Sequence, residues 1–177
     1  MSHKAFSLIE LLIVILIVGI VYTLAISGFE NLKDKKAQKP TLLNLKSYFS
    51  KLEYKNEVKL LCLDGCETCL VYIDGELNQK LSDNFDGFLD QSVKSYSFNI
   101  NTGLQLVRES IYFNSEDVSE NVCFSFSVDK KGVSDQVIVE YKNSVYDFTT
   151  HLNPTKKYAS TSEVIDEKQR VINEVLN

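Results

Sequence analysis

The chain has 177 residues, with 19 Lys+Arg against 24 Asp+Glu for a net charge of -5, which fits one globular unit plus something extra rather than two large domains. With 44% hydrophobic and 24% charged residues, 7 Gly and 2 Pro, the composition excludes collagen-like, low-complexity and fully disordered chains. The acidic balance leaves no strong case for nucleic-acid binding, which needs a basic face to release counterions from phosphates.

From Phe6 to Ile26 the sequence reads FSLIELLIVILIVGIVYTLAI, in which only Ser7, Glu10 and Thr23 are clearly polar. As a helix these twenty-one residues span about 31 Å, matching a hydrocarbon layer of about 30 Å, so the stretch is expected to be an anchoring or targeting device. An ordinary secretory signal is one reading, with MSHKA as its basic prefix and Ala25-Ile26-Ser27 as a small-x-small cleavage site. Glu10 opposes that reading. A carboxylate inside the apolar run costs about 2.5 to 3.5 kcal/mol on insertion scales, and neither a signal peptide nor a lone anchor supplies a compensating charge. Snorkelling to the headgroups is the bland alternative, since Glu10 stands only four residues past Phe6.

Ala5-Phe6-Ser7-Leu8-Ile9-Glu10, followed by the apolar stretch, resembles the type IV prepilin signal. The resemblance implies cleavage by a prepilin peptidase between Ala5 and Phe6 and N-methylation of the new amine. It implies that Glu10, fifth in the mature chain, is the assembly glutamate, meeting the amine of a neighbouring subunit. The chemistry agrees, because an ammonium is what a lipid-buried carboxylate lacks. Gly19 also stands where many family members carry glycine. The chain departs from the pattern at Ala5, where Gly is usual, and has no proline near Ser27, which favours a minor pilin or pseudopilin over a major subunit. Lys33, Lys35, Lys36 and Lys39 follow the apolar stretch against Lys4 before it, a bias opposite to the topology of that family under the positive-inside rule.

After Gly28, Phe29, Leu32, Leu42, Leu45, Phe49 and Leu52 keep helical spacing, so a helix from Phe6 to about Asn56, kinked or restarted at Pro40, is expected. Strands are expected at Val58 to Leu63, Leu70 to Ile73, Val93 to Ile100, Leu104 to Val107, Val122 to Val128, Val137 to Tyr141 and Val145 to Phe148. Asp64-Gly65, Asp74-Gly75, Asn101-Thr102-Gly103 and Lys142-Asn143-Ser144 punctuate them as turns. Ser160 with Glu163 fits a capping box opening a last helix, in which Val164, Ile165, Val171, Ile172, Val175 and Leu176 share one side, either docked on the sheet or offered to a neighbour.

The expected class is therefore α+β: a long N-terminal helix packed on an antiparallel β-sheet head, with a C-terminal helix. Its parts are a leader at 1–5, a transmembrane and assembly helix at 6–27, an amphipathic helix at 28–57, a β-rich head at 58–150, and a loop with the final helix at 151–177.

Cys62, Cys66, Cys69 and Cys123 admit several readings. The CxxxCxxC spacing of the first three matches radical enzymes that use S-adenosylmethionine, but those need a far larger cytoplasmic barrel. Zinc held by four thiolates lacks a second CxxC, and a thioredoxin-like Cys66-Cys69 pair lacks its βαβ setting. Two disulfides are the favoured reading for an extracytoplasmic domain, with Cys123 joined to Cys62 or Cys66 and Cys69 taking the partner left over. From Asp64 to Asp90 seven acids face Lys80 alone, yet without the EF-hand order, so no metal or other cofactor is assigned. No motif supports a catalyst built on His151, and His3 falls in the leader, so no enzyme activity is expected.

The resemblance places the chain as a structural subunit of a filament anchored in a bacterial inner membrane and serving type II secretion or DNA uptake. Its partners would be the peptidase, other pilin or pseudopilin subunits, the inner-membrane assembly platform and membrane lipid, with the head facing the periplasm or cell exterior. The alternative is a soluble extracytoplasmic redox or metal-binding protein released after Ser27.

Overall fold

A computed structural model describes residue 9 and residues 11–21, 39–108, 110–113, 117–150 and 153–176. Backbone contacts divide the chain into two units, Met1–Gln38 and Lys39–Asn177. In the first unit residues 11–21 form helix α1. Its side chains are Leu, Ile and Val on every side, with Gly19 the exception, so no polar stripe selects one face for burial. Every large apolar residue from Leu11 to Val21 is half or more exposed. The expected 6–27 helix lies partly outside the described residues, among which no helix is long and apolar enough to cross a membrane.

The second unit opens at Lys39 and Pro40. Thr41 and Asn44 then cap one another: the Thr41 N–H donates to Asn44 Oδ1 at 2.7 Å and the Asn44 N–H to Thr41 Oγ1 at 3.3 Å. Helix α2 comes next at Leu45–Phe49 and, with Leu42, drives Leu45 and Phe49 into the core. Of the amphipathic helix expected over 28–57, residues 28–38 lie outside the described residues, and from Lys39 onward only Leu45–Phe49 is α-helical. The helix closes where the Lys51 and Leu52 N–H groups turn to the carbonyls of Tyr48 and Phe49, three residues back, and Asp74 holds the stretch that follows. Its carboxylate accepts the backbone N–H groups of Lys55, Asn56 and Glu57 at 2.6 to 3.2 Å, so these donors are satisfied by a side chain instead of by helix carbonyls. The chain is thereby drawn out into the first strand.

The strands are β1 (Glu57–Leu63), β2 (Thr68–Ile73), β3 (Glu76–Leu77), β4 (Lys94–Asn99), β5 (Gly103–Leu106), β6 (Ser110–Phe113), β7 (Ser119–Asp129), β8 (Ile138–Tyr141), β9 (Ser144–Asp147) and β10 (Lys156–Tyr158). Helix α3 (Gln79–Ser82) lies between β3 and β4, and helix α4 (Thr161–Leu176) closes the chain. The α+β class, the antiparallel pairing and the C-terminal helix stand as expected. The strands, however, make two five-stranded sheets, ordered β3-β2-β1-β7-β6 and β10-β9-β8-β4-β5. Tight turns pair β1 with β2 and β8 with β9, the latter through Lys142 and Asn143 at φ 45° and 59°, while the longer passages carry β4 to β8 and β1 to β7.

The core lies between the sheets. Val58 and Leu60 of β1, Phe126 and Val128 of β7, Val139 of β8 and Phe148 are fully buried there, and Phe126 stacks against Phe49 and Phe148 with ring centroids 6.2 and 4.8 Å apart. On the far face of the second sheet, Val164 of α4 joins Ile138 and Val145 in a smaller cluster.

At the start of α4, Ser160 Oγ accepts the Glu163 N–H at 3.3 Å and Glu163 Oε2 accepts the Ala159 N–H at 2.8 Å, a reciprocal cap of the expected kind. Lys168 then reaches Asp147 at 2.6 Å and also donates to Thr149 Oγ1. With the Asp147 side chain 1% exposed and that of Lys168 17%, this ion pair is largely shielded from water. The helix therefore docks by its first half, and Val171 and Val175 stay exposed.

Removing one partner of such a pair strands the other charge. Lys168→Met should cost about 3 kcal/mol in chemical denaturation, and the double variant Lys168→Met with Asp147→Asn should recover part of that loss. Equal losses in the single and double variants would show that the pair contributes nothing specific.

Candidate functional site

Two regions carry the chemistry singled out in the sequence. Ala5, Phe6 and Glu10, assigned to cleavage, methylation and assembly, lie outside the described residues. What is described beside them is α1, whose surface is apolar all round and has no amphipathic face to bury.

The cysteine site is fully described. β1 and β2 align so that Cys62 stands directly opposite Cys69, and the two form a disulfide with Cα atoms 4.0 Å apart. The connecting turn bends through three successive positive φ angles, 51° at Asp64, 65° at Gly65 and 69° at Cys66. Glycine suits the middle position, where φ is positive and a Cβ would displace the Gln91 side chain. This turn brings Cys66 back toward β7, where it bonds Cys123 with Cα atoms 5.6 Å apart.

Cys123 is presented by an irregularity. β1 pairs Cys62 with Phe124 but Leu63 with Val122, so Cys123 is an extra residue on β7. The bulge also moves Val122 to the opposite face of the sheet, away from Phe124 and into a cluster with Leu61 and Leu63. Cys62 and Cys66 are fully buried, and Cys69 is nearly so. No cysteine is free. With every sulfur in a disulfide, none is a thiolate able to ligate zinc or an iron-sulfur cluster, and Cys66 and Cys69 are not bonded to each other.

The acid-rich run is used within the fold. Hydrogen bonds from the backbone of Lys55, then of Asn56 and Glu57, hold the Asp74 carboxyl below its ordinary pKa. Asp90 is held well below the usual range, first by the Ser92 hydroxyl at 2.6 Å and the Ser92 N–H at 2.9 Å, and further by the Tyr141 hydroxyl at 3.0 Å and Lys142 at 3.2 Å. Glu67, Asp83 and Asp86 border one open cleft beside β2. Among the described residues no three His, Cys, Asp or Glu side chains are gathered to hold a metal.

The sequence gives no warning of the crevice of about 180 Å³ that Arg108 lines with Ser95, Ser125 and Gln136, because its walls come from segments distant in the chain. A lone arginine in the stretch Gly103 to Val107 and onward would have been the one available signal.

Residues 1–26 match the family model described as the prokaryotic N-terminal methylation motif, the prepilin-type cleavage signal of type IV pilins and pseudopilins. No curated protein and no solved structure matches the chain.

The disulfides span very different lengths of chain, with sequence separations of 57 for Cys66–Cys123 and 7 for Cys62–Cys69. On loop-closure entropy the long bridge should contribute about 4 kcal/mol and the short one about 2.5 kcal/mol. Replacing each pair by serine and comparing urea unfolding should reproduce that order; a larger loss for the short bridge would refute it. A pH series tests the two carboxylates. Their pKa values are lowered by folding, so their stabilisation is complete above the unfolded value of about 3.9 and is lost as pH falls through the folded values. The urea midpoint should therefore drop as the pH is lowered from 6 toward 3, and drop less steeply in a variant carrying Asp74→Ala and Asp90→Ala.

Proposed function

We propose that the chain is a minor pilin or pseudopilin, a structural subunit of a filament anchored in a bacterial inner membrane and serving type II secretion or DNA uptake. The observation that carries this reading is the methylation motif over residues 1–26, which runs into the all-apolar helix α1. In this reading the peptidase cuts between Ala5 and Phe6, the Phe6 amine is methylated, and the assembly platform draws the subunit out of the lipid. Glu10 gives the process its register: a carboxylate desolvated among apolar helices is stabilised where the ammonium of another subunit meets it, and at no other axial offset. The head faces the periplasm or cell exterior, where an oxidising environment preserves two disulfides. In this reading its role is structural rather than catalytic.

The second reading, a soluble extracytoplasmic redox or metal-binding protein released after Ser27, is disfavoured by the engagement of all four sulfurs in disulfides that leave Cys66 and Cys69 unconnected. Mass spectrometry of the protein taken from host membranes and filaments separates the two. The expected first residue is N-methylated Phe6; Gly28 in first place would establish the secreted alternative. In the same preparation, Glu10→Ala should be cut normally yet enter filaments at least about tenfold less well, since loss of the register contact costs about 1.4 kcal/mol or more. Wild-type incorporation of that variant would refute the pairing.

A further inference from the structure

The two sheets have four edge strands, β3, β6, β10 and β5, and their chemistry differs sharply. β10 carries two exposed lysines, and β3 is two residues long and carries Glu76, which are ordinary ways of blocking a free edge. β5 (Gly-Leu-Gln-Leu) and β6 (Ser-Ile-Tyr-Phe) hold no charge at all. They are consecutive in the chain, so the unprotected edges of both sheets are joined by residues 107–109. Leu106, Ile111 and Phe113 are each more than 60% exposed there. An uncharged, apolar edge of this kind is suited to accept another strand.

The crevice beside this edge adds a polar end-stop. Arg108 lines it, along with Ser95, Ser110 and Gln136, and the bulged segment of β7 from Val122 to Ser125 forms its other wall. The Ser95 Oγ is buried and has no hydrogen-bond partner among the described residues. Arg108 forms no ion pair among the described residues. The acid bordering the crevice, Asp135, has its oxygens occupied by the Ser127 N–H at 2.7 Å and the Ser127 hydroxyl at 3.1 Å. A guanidinium without an ion-pair partner among the described residues, next to one engaged carboxylate, suits a monoanion; a doubly charged phosphate would be repelled by Asp135 more strongly.

We propose that this edge binds the C-terminal end of an extended apolar peptide from a partner protein. Its terminal carboxylate sits on Arg108 and the Ser95 hydroxyl, its backbone adds to β6, and its side chains lie on Ile111 and Phe113. The backbone pairing supplies affinity, and the carboxylate fixes the register and restricts the ligand to chain ends. This site does not depend on the pilin reading.

The test uses the full chain in detergent micelles. The probe is a fluorescein-labelled octapeptide of alternating threonine and valine, made with a free C-terminus and as the C-terminal amide. Fluorescence anisotropy should show the free acid binding about tenfold or more tighter than the amide, as expected for loss of a charge-assisted contact. Arg108→Gln should abolish that preference, and Ile111→Asp should weaken both forms. Both residues are exposed, so neither change disturbs the core. Equal binding of acid and amide, a preference that survives Arg108→Gln, or no binding of either at roughly 1 mM would overturn the proposal. Concentration-dependent dimerisation of the chain alone, abolished by Ile111→Asp, would also overturn it and assign the edge to a second copy.

Discussion

β1 is held covalently to both of its neighbours, and much of the head follows from that. Cys62 is bonded to Cys69 on β2, and Cys66, at the end of the turn after β1, is bonded to Cys123 on β7. The two bonds lie within a few residues of each other, so the sheet is locked where its register would otherwise be weakest, at a bulge. The bulge serves two purposes: it exposes Cys123 to Cys66, and it redirects Val122 so that both faces of the sheet are supplied with apolar side chains. The aromatic core of Phe49, Phe85, Phe126 and Phe148 then fills the space that the locked sheet defines.

The two units have opposite surface chemistry. α1 is apolar in every direction and therefore suited only to an environment of lipid or other apolar helices. The head buries an apolar core while leaving Leu106, Ile111 and Phe113 exposed, uses its acids as local caps and turns, and draws its C-terminal helix in through a shielded ion pair. Asp74 is one such acid, its carboxylate holding the Lys55, Asn56 and Glu57 N–H groups where the chain enters β1.

Much of the architecture is readable wherever the signal is local. Alternation along Val122 to Val128 marks a half-buried strand, Asp64-Gly65 and Lys142-Asn143 mark turns through positive φ, and Ser160 with Glu163 marks a helix start, because each depends on residues within a few positions of each other. β3, β6 and β10 escape notice for a physical reason. They are two to four residues long, and β6 buries almost nothing, so periodicity has no face to report. The stripe Leu42, Leu45, Phe49 and Leu52 does carry helical spacing, but the helix stops at Phe49, and farther on Asp74, distant in the chain, takes the donors of Lys55 to Glu57.

The amino-acid sequence by itself determined the N-terminal motif, the apolar character of the stretch after it, the α+β class and the even set of cysteines, since all of these are properties of neighbouring residues or of composition. Only the tertiary structure decided that the strands divide into two sheets, that Cys66 rather than Cys62 is the partner of Cys123, and that Arg108 stands beside a buried, unsatisfied Ser95. These are contacts between segments separated by many residues, and their selection rests on packing and register across the whole head, which no local pattern encodes.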